Sequence, residues 1–195
     1  MEKVLIEIEM ENGDVMKGEL YPEVAPITVE NFLKLIDEDF FAGLIFHRVI
    51  PGFMIQGGGY TKDFKEKHCD SIKGEFISNG VDNKLKFDEG VVGMARNDYT
   101  QQSSSLKEES YNSGSSQFFI MTKNNTSLNG YYTAFGKVIE GMDVVHNIEQ
   151  VEVKASEDSK ESSSSQQEVS TPVNPVKITS IRVETNGVDY GYQRH

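Results

Sequence analysis

Short runs in which apolar and polar residues alternate constrain the fold of this chain more than any other feature of its sequence. In the first run, Val4 to Met10, every second residue is apolar, which is typical of a half-buried β-strand. Asn12-Gly13 then supplies the positive backbone angles of a tight hairpin turn, so that Met16 to Leu20 returns antiparallel. Six further short strands are predicted in residues 45–50, 54–57, 91–95, 117–121, 133–138 and 176–183, some from alternation and others, such as 117–121, from their aromatic and branched residues. The pattern therefore predicts a mainly β protein whose eight short strands avoid exposed edges by closing into an antiparallel barrel.

Two segments carry the period of a helix instead. In the first, Pro26 is suited to the start of a helix and Thr28 to its N-cap. The apolar residues at helical spacing in this segment are Val29, Phe32, Leu33, Ile36 and Phe40. The second segment, from Gly141 to Gln150, places Met142, Val145 and Ile148 on one face. We expect these two amphipathic helices to close opposite ends of the barrel.

The run from Phe46 to Gly58 places one charged residue, Arg48, among apolar neighbours. In an extended strand, Arg48 shares a face with Phe46 and Ile50, and the turn at Pro51-Gly52 brings a second extended run beside it. Arginine is seldom buried without a partner, so one interpretation is a core hairpin in which Arg48 pairs with a carboxylate. The other interpretation is the wall of a binding pocket.

The order of residues in this run resembles the signature of the cyclophilin-type peptidyl-prolyl isomerases. The run reads Phe-His-Arg-Val-Ile-Pro-Gly-Phe-Met-Ile-Gln-Gly-Gly over residues 46–58. Three later blocks support the resemblance, namely residues 90–96, residues 114–120 and residues 135–142. Order and spacing fit the family from about residue 3 to residue 150. The resemblance implies a closed eight-stranded antiparallel barrel capped by two α-helices, with the active groove on its outer face.

The reaction implied by this resemblance is rotation about Xaa-Pro peptide bonds in proteins and peptides, which assists protein folding. The barrier to this rotation is about 18–20 kcal/mol, and no covalent bond breaks. A donor aimed at the prolyl nitrogen weakens the amide resonance by stabilising the lone pair that localises in the twisted state. Arg48 is suited to this role because its guanidinium stays charged and offers donors in a fixed geometry.

The resemblance also assigns the remaining site residues. It implies that Arg48 is catalytic and that Gln56 orients Arg48 and the peptide. Arg96 is expected to grip the extended substrate through its backbone. The residues implied in substrate binding are Phe53, Met54, Ala95, Arg96, Gln117, Phe119, Leu128 and Tyr132. No metal and no cofactor is implied.

Two positions depart from the pattern that the resemblance leads us to expect. Ser127 stands where many family members carry Trp, and Tyr132 stands where they carry His. Tyr132 still provides an aromatic wall and a hydroxyl, so we expect isomerisation to persist. Ser127 removes a large contact surface, so we expect cyclosporin binding to be weakened.

The charge and the cysteine content of the chain limit its possible partners and its location. With 31 acidic against 19 basic residues, the chain carries a formal net charge of −12, which argues against binding to nucleic acid or to anionic membranes. Its one cysteine, Cys69, cannot form an internal disulfide, and the N-terminus lacks the apolar core of a secretion signal. We therefore expect a cytoplasmic monomer whose partners are proline-containing peptides and flexible protein segments.

The length suits one domain. We expect it to cover residues 1–186, with polar loop insertions at 97–113 and 154–175 and a C-terminal tail at 187–195. The glycine run Gly57-Gly58-Gly59 lacks the Gly-Lys-Ser/Thr of a phosphate-binding loop and is interpreted as a bend in a crowded sheet. His68-Cys69 is not interpreted as a metal site, because no second cluster completes a tetrahedral ligand set.

Three functions compete for this sequence. The first is an isomerase of broad specificity, and the second is a module that binds proline-containing peptides without turnover. The third is a structural barrel with a decayed site. Arg48 discriminates between the first two, because a binder needs the pocket alone, whereas this sequence keeps the guanidinium as well. The isomerase is the interpretation that the sequence favours.

Overall fold

The computed structural model describes residues 4–96, 107–155 and 169–184, and its main element is an eight-stranded antiparallel sheet. The sheet has the strand order β10-β1-β2-β7-β5-β6-β4-β3. Its strands are β1 (Val4–Met10), β2 (Val15–Leu20), β3 (Arg48–Ile50), β4 (Met54–Gly57), β5 (Val91–Met94), β6 (Phe118–Met121), β7 (Ala134–Glu140) and β10 (Ile178–Glu184). The mainly β architecture with eight antiparallel strands is therefore confirmed.

The two outer strands of this sheet, β3 and β10, share no regular ladder. The residues just before each strand meet instead, through an isolated bridge between Ile45 and Lys177. The Phe46 N–H donates to the Val176 carbonyl at 2.9 Å, and the Ile178 N–H donates to the Leu44 carbonyl at 2.8 Å. The barrel is thus less regularly closed than predicted.

Two helices pack their apolar faces onto one core. Helix α1 (Pro26–Asp37) buries Val29, Phe32 and Leu33, and helix α3 (Met142–Glu149) buries Val144, Val145 and Ile148. All six side chains belong to the same hydrophobic cluster. Helix α1 packs against β10, whereas α3 packs against β2, β3 and β4. Both predicted helices are therefore present, and they cover different parts of the sheet.

The start of α1 differs from its prediction. Ala25 is the N-cap residue and Pro26 begins the helix, so Thr28 lies inside the first turn. The Thr28 N–H donates to Oε1 of Glu75 at 2.6 Å, and its hydroxyl donates to the same oxygen at 2.8 Å. Glu75 is 2% exposed. A buried carboxylate from a distant loop therefore satisfies the helix N-terminus, where negative charge is favourable.

Both polar insertions contain regular structure. Helix α2 (Lys107–Tyr111) lies within the segment predicted as a loop at 97–113. Strands β8 (Val153–Ala155) and β9 (Val169–Pro172) pair at the two ends of the segment predicted as a loop at 154–175. Ser170 and Thr171 are buried there, which composition alone does not indicate. Residues 97–106 and 156–168 of the two insertions and the predicted tail at 187–195 lie outside the described residues.

None of the helices in the described part of the chain is long and apolar enough to cross a bilayer.

Candidate active site

The candidate site lies on one face of the sheet where β3, β4, β5 and β6 come together. Hairpin register places Arg48 of β3 opposite Gln56 of β4, and Gln56 is in turn opposite Phe119 of β6. The hairpin turns at Pro51-Gly52, where Gly52 adopts a φ of 75° that other residues rarely adopt. The sequence therefore fixes, through one short hairpin, which side chains stand beside the guanidinium.

The alternation predicted for this hairpin is wrong at its first residue. Phe46 is fully buried in the main core together with Val49, whereas Arg48 and Ile50 are half-buried. The regular strand begins only at Arg48, so the two-residue period does not extend back through His47 to Phe46. Arg48 therefore faces a pocket, while Phe46 lies on the opposite, core side of the sheet.

Nine of the ten predicted site residues line one pocket of about 290 Å³. They are Arg48, Phe53, Met54, Gln56, Ala95, Arg96, Phe119, Leu128 and Tyr132. The tenth, Gln117, does not line the pocket and lies behind Gln56, to which it is hydrogen-bonded. The pocket thus takes its predicted residues from strands β3, β4 and β6, from the segment that follows β5, from the 3₁₀ turn Thr126–Leu128 and from nearby turns.

A directed chain of hydrogen bonds fixes the polar wall. Nη1 of Arg48 donates to Oε1 of Gln56 at 3.1 Å. Nε2 of Gln56 donates to Oε1 of Gln117 at 2.9 Å. Because Gln56 uses its acceptor on one side and its donor on the other, its amide is held in one orientation. The guanidinium of Arg48 is positioned accordingly.

The apolar wall is built from a second hydrophobic cluster that is separate from the main core. Met54, Phe119 and Ala134 are buried in it, and Phe53 and Leu128 pack against it. The Phe119 ring stacks on Phe87 at 5.5 Å between centroids and meets the edge of the Tyr132 ring at 5.9 Å. Rings held on two sides have little freedom, so the pocket is formed before any ligand enters.

The glycine run next to the site fits its interpretation as a bend in a crowded sheet. Gly58 adopts a φ of 88°, and a Cβ at this position would lie 2.9 Å from the Phe118 ring. A Cβ at Gly59 would overlap the side chain of Gln117. Gly59 therefore leaves the space through which Gln117 reaches Gln56.

The side chain of Arg96 is a part of the site that sequence reasoning missed. Its Nη1 donates to the Ser110 hydroxyl at 2.8 Å and its Nε donates to the Tyr131 carbonyl at 3.1 Å. The guanidinium carbon lies 4.5 Å from the Tyr132 ring centroid and 5.0 Å from that of Tyr111. Only the backbone of Arg96 was predicted to act. No local signal indicates the other contacts, because Ser110 and Tyr111 come from the insertion read as a polar loop.

Helix α3 supports the Pro51-Gly52 turn from outside the pocket. The Gly52 N–H donates to Oε2 of Glu149 at 2.6 Å, while Oε1 of Glu149 lies 3.0 Å from Nδ1 of His146. Nε2 of His146 lies 2.6 Å from Oε1 of Glu89. The hydrogen bond to Glu149 raises the pKa of His146, against the opposing effect of burial. Burial acts to raise the pKa of Glu149, but the hydrogen bonds from His146 and Gly52 lower it overall.

Comparison with known families identifies the class of protein to which this barrel, with an arginine beside an apolar pocket, belongs. The family model described as cyclophilin-type peptidyl-prolyl cis-trans isomerase/CLD matches residues 5–183. A peptidyl-prolyl cis-trans isomerase of Acinetobacter baylyi is 37% identical over 187 residues, which are 93% of this chain and 86% of that protein. One from Streptomyces antibioticus is 39% identical and covers 85% of this chain and 90% of its own length. The chain belongs to the cyclophilin-type peptidyl-prolyl isomerase family.

Solved structures agree with this assignment. A cyclophilin-type isomerase of Cryptosporidium parvum superposes with a TM-score of 0.71 at 25% identity, covering 95% of this chain and 99% of its own. A second structure of that protein, determined in the presence of the dipeptide Ala-Pro, superposes with a TM-score of 0.69. The cyclophilin fold predicted from the sequence is confirmed.

Proposed function

We propose that this chain catalyses cis–trans rotation about Xaa-Pro peptide bonds and that Arg48 is its catalytic residue. The observation that carries the proposal is the placement of the Arg48 guanidinium, held by Gln56 at 3.1 Å, on the wall of an otherwise largely apolar pocket. A side chain buried in a core hairpin would not line a pocket, whereas Arg48 is half-buried and lines one.

The pocket supplies the two groups that the rotation requires. Phe53, Met54, Phe119 and Leu128 form an apolar slot for the prolyl ring, which keeps the ring still while the peptide turns. As the bond twists, the lone pair localises on the prolyl nitrogen, and a guanidinium N–H of Arg48 donates to it. One preorganised donor of this kind contributes about 10²–10³ in rate. No proton or electron is transferred, so no acid–base pair is needed.

The structure determined in the presence of Ala-Pro supports the choice of a prolyl ring as the occupant. The dipeptide was present with the Cryptosporidium parvum protein, whose structure covers 93% of this chain. The pocket of this chain is lined by three residues with aromatic rings, Phe53, Phe119 and Tyr132. Proline-containing peptides and flexible protein segments are the substrates that we propose, in the role of a folding helper.

Exchange spectroscopy tests this function. The cis–trans exchange rate of a short Ala-Pro-containing peptide is measured by NMR with wild type, Arg48→Ala and Arg48→Lys. We expect the wild type to accelerate exchange and Arg48→Ala to lose about 10²–10³ of that acceleration. Arg48→Lys keeps the charge but loses the fixed fork of donors, so we expect it to stay at least about tenfold below wild type.

The matched control is Arg182→Ala. Arg182 lies on β10, has a side chain 57% exposed, and pairs with Glu7 at 3.0 Å, outside the pocket. We expect this variant to catalyse cis–trans exchange of the peptide at the wild-type rate. A wild type that binds the peptide, shown by shifted Phe and Tyr resonances, but leaves its exchange rate unchanged would favour the binding module over the enzyme.

The remaining expectations about partners and location stay proposals. We propose weak cyclosporin binding, because Ser127 is small and lies in the turn beside the pocket residue Leu128. We also propose a monomer in the cytoplasm. The support for that location is Cys69, which is free and is the one cysteine of the chain, as suits a reducing compartment.

A further inference from the structure

We propose that Arg96 determines substrate specificity by selecting an acidic side chain next to the proline. This inference rests on the isomerase function proposed above and adds a substrate preference to it. The charge of the pocket supports it. Arg48 and Arg96 both line the pocket, and no lining residue is acidic, although the chain as a whole carries a formal net charge of −12. The pocket is therefore a small cationic area on an acidic protein.

The guanidinium of Arg96 keeps a donor available. Nε and Nη1 are used by the Tyr131 carbonyl and the Ser110 hydroxyl, and these two acceptors are neutral. Among the residues that the structure describes, none accepts a hydrogen bond from Nη2 of Arg96 and no carboxylate pairs with this side chain. Its charge is therefore not neutralised by the described part of the chain. A carboxylate of the substrate is the partner that such a group favours.

Three aromatic rings hold this side chain in place. The guanidinium carbon lies 4.5 Å, 5.0 Å and 5.5 Å from the ring centroids of Tyr132, Tyr111 and Phe76. A stacked guanidinium has already lost most of its rotamer freedom, so binding a substrate carboxylate costs little additional ordering. A lysine in place of Arg96 would be a poorer substitute, because it lacks the planar guanidinium that stacks on these rings.

The position of Arg96 limits which substrate residue it reaches. Arg96 lines the 290 Å³ pocket and also a minor cavity of about 10 Å³ beside it, lined by Phe76, Met94 and Tyr111. That cavity is too small to admit a side chain. Arg96 and the apolar residues line the same pocket, and neighbouring Cα atoms are about 3.8 Å apart, so we expect a residue directly flanking a bound proline to come within reach of Arg96. The preference is therefore for charge next to the proline, and not for a side chain inserted into a second cavity.

Long-range repulsion by the acidic protein does not override this contact at physiological salt. Charges separated by more than about 8 Å are largely screened at an ionic strength of about 0.15 M. A direct contact with Nη2 is screened much less. The preference is therefore measured at this one ionic strength, so that the protein's net charge affects all peptides equally weakly.

The experiment compares isosteric peptides. Peptides of one length carry Glu, Gln or Lys directly before the proline, and a second set carries them directly after it. The quantity measured is the ratio of kcat/KM for the Glu and Gln peptides of each set, from NMR exchange at 0.15 M salt. We expect wild type to prefer Glu by about three- to tenfold in one set and to disfavour Lys in that set. Equal kcat/KM for Glu, Gln and Lys in both sets would overturn the proposal.

Two variants assign the preference to Arg96. In Arg96→Gln the Glu-to-Gln ratio is expected to fall to about one, whatever the overall activity of the variant, because the ratio is taken within one protein. In Arg182→Gln, which removes an equal charge outside the pocket, the ratio is expected to stay at its wild-type value. An Arg96→Gln variant that keeps the wild-type ratio would show that Arg96 is not the source of the preference.

A measurement on the unmodified protein covers the cases in which a variant does not fold or no peptide is turned over. The Nε–H resonance of Arg96 is followed in ¹H–¹⁵N spectra while the Glu or the Gln peptide is added. We expect a larger shift and a lower Kd with the Glu peptide. Identical shifts and affinities would overturn the proposal. Absence of turnover for every peptide, with the binding preference retained, would instead contradict the isomerase function and leave the role of Arg96 intact.

Discussion

Gln56 links the side chain of Arg48 to that of Gln117. Its oxygen accepts from Arg48 and its amide nitrogen donates to Gln117, so it can hold only one orientation. Gln117 reaches Arg48 through Gln56 and does not line the pocket. Gln117 is therefore a positioning residue, and removing it should matter only while Gln56 is present.

A double-mutant cycle checks this dependence. We expect Gln56→Leu to lower kcat/KM about tenfold, which is about 1.4 kcal/mol, because the guanidinium loses its fixed partner. Gln117→Leu should lower it about threefold. The double variant should be no worse than Gln56→Leu alone, because the two residues form one chain of hydrogen bonds. Effects that multiply would show that Gln117 acts independently of Gln56.

The sequence predicted which residues line the pocket better than it predicted the contacts of their side chains. Nine predicted residues line the pocket because they follow a motif whose strand register fixes their neighbours. The contacts of the Arg96 side chain could not be predicted, because its ring partners Phe76 and Tyr111 lie 20 and 15 residues away in segments that the sequence predicts to be loops. No periodic pattern connects such positions. The catalytic and binding roles of these residues stay predictions until they are measured.

Glu75 is the clearest case of an element completed by a distant residue. Its buried carboxylate accepts from the N–H and the hydroxyl of Thr28 in the first turn of α1. We expect Glu75→Gln to lower the free energy of unfolding by about 2 kcal/mol, because charge-assisted hydrogen bonds at a helix N-terminus are lost. Urea unfolding followed by circular dichroism measures this.

The control for this prediction is Glu30→Gln, which removes a charge from the exposed face of the same helix. We expect it to change the free energy of unfolding by no more than about 0.5 kcal/mol. Equal effects of the two substitutions would mean that the charge of Glu75 acts through general electrostatics and not through the helix N-terminus.

Helix α3 gives the protein a pH-dependent contact through His146. Its ring lies between Glu149 of the same helix and Glu89 of the loop before β5, and Glu149 also holds the Gly52 N–H. The pKa of His146 is raised in the folded protein and that of Glu149 is lowered. The stabilisation from His146 is therefore complete below its ordinary pKa of 6.5 and is lost as pH rises through its raised folded value. The stabilisation from Glu149 is complete above its ordinary pKa of 4.5 and is lost as pH falls through its lowered folded value.

The difference in free energy of unfolding between wild type and His146→Gln should accordingly be largest between about pH 4.5 and 6.5. We expect it to shrink as pH rises through the raised folded pKa of His146. Denaturant unfolding at a series of pH values measures it. His68→Gln is the matched control, because His68 has a side chain 77% exposed and lies 3.4 Å from the exposed Glu66. A His146→Gln difference that does not vary with pH would contradict the assignment of this cluster.

Elements with a clear period were predictable, and those without one were not. Helices α1 and α3 show apolar residues at helical spacing, and both are present within a few residues of their predicted bounds. Strands β8 and β9 are short and lie in a polar part of the sequence. Two of their residues, Ser170 and Thr171, are polar and nevertheless buried. Their pairing depends on packing next to β3, which no local pattern encodes.

At the scale of the whole molecule, the first and last strands are neighbours. β1 pairs antiparallel with β10, so that Leu5 lies opposite Glu184 and Ile8 lies opposite Ile181. The mainly β class was predictable because β1, β2 and β3 alternate in burial and because β5 and β6 are short, fully buried apolar runs. The form of its closure was not, because the bridge between Ile45 and Lys177 joins residues outside the named strands.

A chain that ends after Lys177 should fail to fold, because β1 loses its pairing with β10, and because Ile178 and Ile181 are then missing from the core. We expect it to lack cooperative unfolding and near-ultraviolet circular dichroism. A chain that ends after Glu184 keeps every paired strand of the described residues and should unfold cooperatively. Cooperative unfolding of the shorter chain would show that β10 is dispensable.

The pairing of β1 with β10 has a consequence for synthesis on the ribosome. Leu5 and Glu184 are partners across the sheet and are separated by 179 positions in the chain. At about 5–20 residues per second, the first strand waits roughly 9 to 36 seconds for its partner to be made. During that time, one edge of β1 is open to pairing with other nascent chains. Glu7 and Glu9, which later pair with Arg182, place negative charge along this edge and discourage such contacts. This member of the peptidyl-prolyl isomerase family thus carries, in its own first strand, protection for the interval before it can fold.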